Sequence, residues 1–197
     1  MRLLDKGTGT LRAILSLLVG AGLFCLTVIG SPGALAAETD RLDVSKEPGG
    51  GVRATAQVFF PAKPAIVQAL LTDYQHWPDL FQVKMRVAEF TMHAGAARVD
   101  LRIDHSLMPG ERRLITESRT LPTGGLVTDL KGGDFKRYHR VWKLAPADGG
   151  SQTYADFELV VEIESLVPDW MVAIAMRQEL EAHFRIVKQK VVERSNR

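Results

Sequence analysis

The sequence predicts an α+β fold, in which a curved antiparallel β-sheet wraps around one long C-terminal α-helix and two short helices follow the first long strand. Three observations predict it. Residues 52–60 alternate apolar and polar side chains. Residues 83–164 read as consecutive strands joined by short turns. From residue 169 the apolar period changes to that of a helix. A doubly wound sheet is excluded, because it needs a crossover helix after nearly every strand.

Residues 37–51 form a lead-in, with Leu42 and Val44 alternating as an edge strand and Pro48-Gly49-Gly50-Gly51 as a turn. Val52, Ala54, Ala56, Val58 and Phe60 then share one face of a half-buried strand. Pro61 and Pro64 mark a helix entry, since proline is tolerated in a first turn. The helix is expected over 65–72, and a second helical turn over 77–81. Ala97, Val99, Leu101 and Ile103 line one face of the next clear strand. Pro109-Gly110 is a turn. Further strands are expected at 112–121, 126–131, 135–144 and 153–163, separated by Pro122–Gly125, Gly132-Gly133 and a loop over 146–150.

The last helix is expected over 169–194, roughly 39 Å at 1.5 Å per residue. Ala173, Met176, Leu180, Phe184, Val187 and Val191 form its apolar seam. Arg177 with Glu181, and Glu181 with Arg185, have the spacing of ion pairs on its wet side. It is the only element long enough to cover the sheet. A bent sheet gripping one helix rarely closes to zero volume, so an internal, mostly apolar cavity is expected.

Residues 1–36 read as a secretory signal rather than folded domain. Arg2, Lys6 and Arg12 precede an uncharged apolar run, helix breakers follow at Gly30 to Gly33, and Ala34-Leu35-Ala36 supplies small residues for cleavage. The reading is an exported, periplasmic protein whose mature domain covers 52–197 behind the lead-in; the alternative is a retained membrane anchor. The bulky Phe24 before Cys25 does not suit a lipoprotein signal. Of 25 basic and 23 acidic residues, cleavage removes three and one, which leaves 22 of each. A neutral mature chain has no basic excess for nucleic acid. Cys25, the only cysteine, leaves with the signal, and with it any disulfide or thiolate chemistry.

One passage carries a resemblance. Residues 58–78, VFFPAKPAIVQALLTDYQHWP, resemble the strand, proline, helix and "W-P" passage of the polyketide cyclase/dehydrase and lipid-transport superfamily, which includes START-like and coenzyme Q-binding domains. Val141-Trp142-Lys143-Leu144 before a glycine loop and the proline-led final helix agree with it. Gln68 stands where that family usually carries a large aromatic. The resemblance implies a helix-grip fold with a pocket under the long helix, and a function among carriers, cyclases, hydrolases and regulators.

Within such a pocket, Tyr138, Arg140 and Trp142 alternate on one strand. Either all three face the cavity, with Arg140 meeting a carboxylate, phosphate or carbonyl, or Trp142 is core and Arg140 lies at the sheet rim. Leu101, Ile103 and Phe157 are expected in the sheet wall, and His105 at its rim. Met171, Met176 and Leu180 are expected on the helix, and Trp77 and Phe81 beside the entrance or in the core. Residues 170–176 are apolar all round, either packed under loops or forming a mouth that meets a membrane, cargo or a partner chain. His76, His93, His105, His139 and His183 have no metal-ligand spacing and are assigned surface or capping roles. No serine lies in a G-x-S-x-G context. The expected function is therefore non-enzymatic binding or carriage of a lipid, quinone or isoprenoid, with no metal or cofactor and with a transient membrane contact allowed. The alternatives are a cyclase/dehydratase-type enzyme acting in the same cavity, and a protein-interaction module that uses residues 170–176.

Overall fold

The computed structural model describes residues 40–107, 110–163 and 167–197. The leader expected over 1–36, the first residues of the lead-in, and Pro109 lie outside them. Eight strands form one antiparallel sheet: β1 (Arg41–Lys46), β2 (Val52–Phe60), β3 (Lys84–His93), β4 (Ala96–Asp104), β5 (Arg112–Thr120), β6 (Gly125–Gly133), β7 (Phe135–Ala147) and β8 (Gln152–Ile163). Helix α1 (Pro64–Leu71) and a 3-10 helix (Tyr74–Leu80) follow β2, and α2 (Asp169–Ser195) ends the chain. The sheet order is β1-β2-β8-β7-β6-β5-β4-β3. From β3 to β8 each strand pairs with the next, and β8 returns to β2.

Bulges between Val87 and Glu89, Ile115 and Thr116, and Phe135 and Arg137 interrupt the ladder. Each bends its strand and adds twist, which lets the sheet curl around a helix. Two expected turns belong to strands instead. Gly132 and Gly133 lie within β6 opposite Ile115 and Leu114, and the connection to β7 is Asp134 alone. The Asp134 carboxylate accepts the Arg113 N–H at 2.7 Å. Likewise β7 runs on through Pro146, which the loop expected over 146–150 had included. Its ladder with β6 stops at Lys143, so Pro146 faces only Thr153 of β8 and no second neighbour needs its missing N–H.

Alternation sets the buried face as expected. Val52, Ala54, Ala56, Val58 and Phe60 of β2 are buried, and so are Ala97, Val99, Leu101 and Ile103 of β4. Trp142 is fully buried at the centre, with ring centroids 4.7 Å from Phe157, 5.6 Å from Phe184 and 6.0 Å from Phe60. Leu180, Phe184, Val187 and Val191 of α2 fill this end of the molecule. Ala173 and Met176, earlier in the expected seam, are only half-buried. Arg177 does not pair with Glu181. It donates to the Leu42 carbonyl at 3.2 Å, and Lys188 reaches the Asp40 carboxylate at 2.6 Å, so α2 is fastened to β1 and its approach. An exposed i,i+4 pair is worth only about 0.2–0.5 kcal/mol, too little to hold Arg177 against that alternative.

Gln68 has a structural task. Its Oε1 accepts the Gly125 N–H at 2.6 Å, which pins α1 to the start of β6 with a polar contact. Thr153 Oγ1 likewise donates to the Ala62 carbonyl at 2.7 Å, beside the start of α1. Changing Gln68→Leu keeps the volume and leaves the Gly125 N–H unpaired. Its expected cost is about 1–2 kcal/mol in urea unfolding. An unchanged midpoint would mean that the bond contributes nothing.

Candidate ligand-binding cavity

The sheet and α2 meet solidly only over the second half of the helix. Under its first half lies a cavity of about 180 Å3. A dry cavity of about 150 Å3 is enough to take benzene. The wall is overwhelmingly apolar, with Leu114, Leu159 and Val161 from the strands and Val172 and Ala175 from the helix among its members. At one end it adjoins the segment after β4 and the start of α2. There His105, Leu107, Ala175 and Glu179 also line an outer groove that carries Trp170, Met171 and Ile174.

The structure brings nine of the twelve expected site residues into this wall: Trp77, Phe81, Leu101, Ile103, His105, Tyr138, Arg140, Met176 and Leu180. Trp142 and Phe157 lie elsewhere. They pack on each other and on Phe184 behind the cavity floor, because the aromatic rings there leave no space. Met171 faces the outer groove, one side of the helix away from the cavity. Trp170 and Ile174 are 55% and 53% exposed, so the all-round apolar start of α2 has one side on the cavity and one side bare. No helix among the described residues is long and apolar enough to cross a membrane.

Five wall residues carry polar groups. Arg140 is 6% exposed, far from the rim position considered above. Its guanidinium carbon lies 4.4 Å from the centroid of the Trp77 ring. Its Nε is buried without a hydrogen-bond partner, and no ion pair involves it among the described residues. Glu179 Oε2 is also buried and unpartnered. The His105 ring nitrogen Nδ1 accepts the Leu107 N–H at 3.1 Å, a local turn contact. Tyr138 packs edge-on against Phe135, with centroids 6.5 Å apart. Trp77 is held by its own Nε1–H, which donates to the Leu71 carbonyl at 2.9 Å.

His183 corrects the surface role assigned to it. It is 2% exposed, stacked on Phe81 at 4.2 Å, and its Nδ1–H donates to the Leu80 carbonyl at 2.8 Å. Burial lowers its pKa to about 4; the Leu80 bond opposes this and the nearby Arg140 charge adds to it. It sits three residues after Leu180 in the helical seam, a spacing that puts it inside. Burial pushes the Tyr74 phenol up, against a hydrogen bond with Ser118 and the charge of Arg140. His76 and His139 pair with Asp73 and Asp129 at 2.7 Å, both away from the cavity. Among the described residues no three His, Cys, Asp or Glu side chains cluster as metal ligands.

Comparison with known proteins agrees with this architecture. The sequence profile of the family described as "Polyketide cyclase / dehydrase and lipid transport" matches residues 60–183. Among curated proteins the sequence finds no match. Among solved structures it is similar to a START superfamily protein from Mycobacterium smegmatis, with a TM-score of 0.58 and 19% identity over 72% of this chain and 97% of that one. A STAR-related lipid transfer protein fragment from Xanthomonas axonopodis gives a TM-score of 0.59 and 11% identity, over 79% and 94% of the two chains. The Zhui aromatase/cyclase from Streptomyces sp. R1128 gives 0.56 and 12%, over 80% and 96%. At these identities the likeness is one of fold.

Proposed function

Because the chain belongs to the polyketide cyclase / dehydrase and lipid transport family, we propose that it binds and carries an apolar small molecule, a lipid, quinone or isoprenoid, in the cavity under α2, without turning it over. The family implies hydrophobic ligand binding or cyclase-like activity. The observation that carries the narrower reading is the hollow itself. A chain that packs Trp142, Phe157 and Phe184 solidly at one end leaves about 180 Å3 of apolar space at the other, beside a groove of mixed polarity that carries the exposed Trp170 and Ile174. Voids of that size forfeit packing energy, at about 24 cal/mol per Å3, unless something fills them. The signal-like pattern of residues 1–36 supports a periplasmic place of action.

Delipidated protein is re-exposed to membrane extract and examined by native mass spectrometry. Adducts of apolar mass are expected on the wild type and, after Met176→Trp fills the cavity, at about fivefold lower occupancy or less, with the fold retained. No adduct on the wild type would remove the proposal.

One observation favours the enzymatic alternative: Tyr138, Arg140 and Glu179 share one water-poor wall, where acid–base chemistry is strong. In that case Tyr138→Phe abolishes turnover of a cyclisable substrate and preserves its binding. A carrier shows no turnover in either protein.

A further inference from the structure

Resting on the reading of the cavity as a binding site, we infer that its ligand enters carboxylate first, with the head group seated on Arg140 at the floor and the apolar tail running to the mouth. The depth of Arg140 follows from its strand. Along β7 the inward residues are Tyr138, Arg140 and Trp142, and Trp142 is already solid core. Arg140 is therefore the last β7 side chain before the space ends. Leu159 stands opposite it on β8, and Leu101, Leu114 and Leu180 belong to the same wall. At the far end the cavity shares His105 and Leu107 with the outer groove, and we place the mouth there.

A buried guanidinium without a counter-ion is rare, because its desolvation must be offset by a partner. The residue has five N–H donors and cannot shed its proton. Here the Trp77 face, 4.4 Å from the guanidinium carbon, is the compensation the fold supplies. The contact sets the guanidinium over the ring and leaves its Nε without a hydrogen-bond partner. The ring beneath it is held in turn, since Trp77 is tied to the Leu71 carbonyl. A planar fork held in place at the end of an apolar shaft matches a carboxylate, which accepts two parallel N–H bonds. Glu179 has an unpartnered oxygen in the same wall but forms no ion pair with Arg140.

The charge count narrows the head group further. His183 beside Arg140 is neutral at pH 7, with its pKa near 4, and the Tyr74 phenol is held protonated. Arg140 is thus the one Lys or Arg of the described wall, and since Glu179 forms no ion pair with it, a single ligand carboxylate matches its fork. A phosphate dianion would bring a second negative charge, which no further Lys or Arg of the described wall matches. About 180 Å3 holds a head group and the first part of a chain. The rest then lies along the groove beside Trp170 and Ile174, which gives those bare side chains something to cover.

The experiment is calorimetric titration of delipidated protein at pH 7 with decanoate and with decan-1-ol, which shares the chain length and lacks the charge. Wild type is expected to prefer decanoate by about tenfold or more, equivalent to about 1.4 kcal/mol. Arg140→Met, which keeps the apolar length, is expected to lose that preference, to bind decan-1-ol within about twofold of wild type, and to melt no lower, since it removes an unpaired buried charge. Equal affinity of wild type for the two probes, or a preference that survives in Arg140→Met, overturns the inference and leaves apolar binding in the cavity standing. Failure of both probes on the wild type overturns it too; apolar adducts in the native spectra then decide separately whether the cavity binds at all.

Discussion

Replacing Gly125 with alanine is expected to cost about 3 kcal/mol or more and to lower the soluble yield sharply. Gly125 begins β6 at φ +96°, a conformation that side chains disfavour. A Cβ there would lie 2.0 Å from the Trp142 carbonyl oxygen and 2.8 Å from its carbon. That neighbour is backbone and cannot swing away. Its own side chain is locked among Phe60, Phe157 and Phe184, so a shift of β7 would disturb the centre of the core. The N–H of Gly125 is also the donor to Gln68, so displacement breaks the pin to α1. Gly95→Ala is the control. It shares a positive φ, +76°, but meets nothing within 4 Å, so it should cost about 1 kcal/mol. Urea midpoints for the two variants that fall within experimental error of each other would refute the crowding argument.

The second large effect is a loss of stability in mild acid caused by His183. Its folded pKa, about 4, lies below its ordinary 6.5, so the unfolded chain takes up a proton that the folded chain refuses. Between those values the unfolded state binds more protons, and stability must fall as pH falls. The contribution is fully present above about pH 6.5 and declines down to about pH 4. A gap of that size corresponds to about 3 kcal/mol. Hydrogen bonds and charges from Arg113 hold the Asp100 carboxyl below its ordinary 3.8. Burial raises the Asp73 carboxyl, but His76 and Arg194 outweigh that and bring it below 3.8. Their own losses therefore begin at lower pH, which separates them from the histidine. Urea unfolding of wild type at pH 7, 6, 5 and 4.5 should trace the decline. His183→Asn, which offers a donor to Leu80 and cannot titrate, should start lower and stay nearly flat across the window. An equally steep decline in that variant would assign the acid sensitivity to other groups.

The order of strands and helices was legible because each depends on local chemistry. Alternation in β2 and β4, the prolines before α1 and the change of period at α2 all survive in the structure. What alternation cannot tell is depth. Tyr138, Arg140 and Trp142 share a face by their spacing, but whether each meets a packed core or empty space depends on what α2 brings opposite. The sequence therefore left Arg140 open between cavity and rim and Trp142 between cavity and core, and Phe157 read as a cavity wall. Gly132-Gly133 read as a turn because glycine pairs usually are one; pairing with β5 across a bulge made them strand. His183 was missed for a different reason. Its position belongs to the apolar seam of α2, but a histidine is ordinarily counted as surface, and the carbonyl of Leu80 that accepts its hydrogen bond comes from a segment about a hundred residues away in the chain.

The division of α2 into a packed half and a hollow half separates two kinds of evolutionary constraint. Side chains around Trp142, Phe184 and Val187 hold the molecule together, and selection against unfolding must keep them nearly fixed. Met85, Phe135 and Met176 at the other end are half-buried and border vacant space, so exchanging them perturbs little. A lineage built on this plan can change its choice of cargo through neutral drift, one substitution at a time, without first acquiring spare stability.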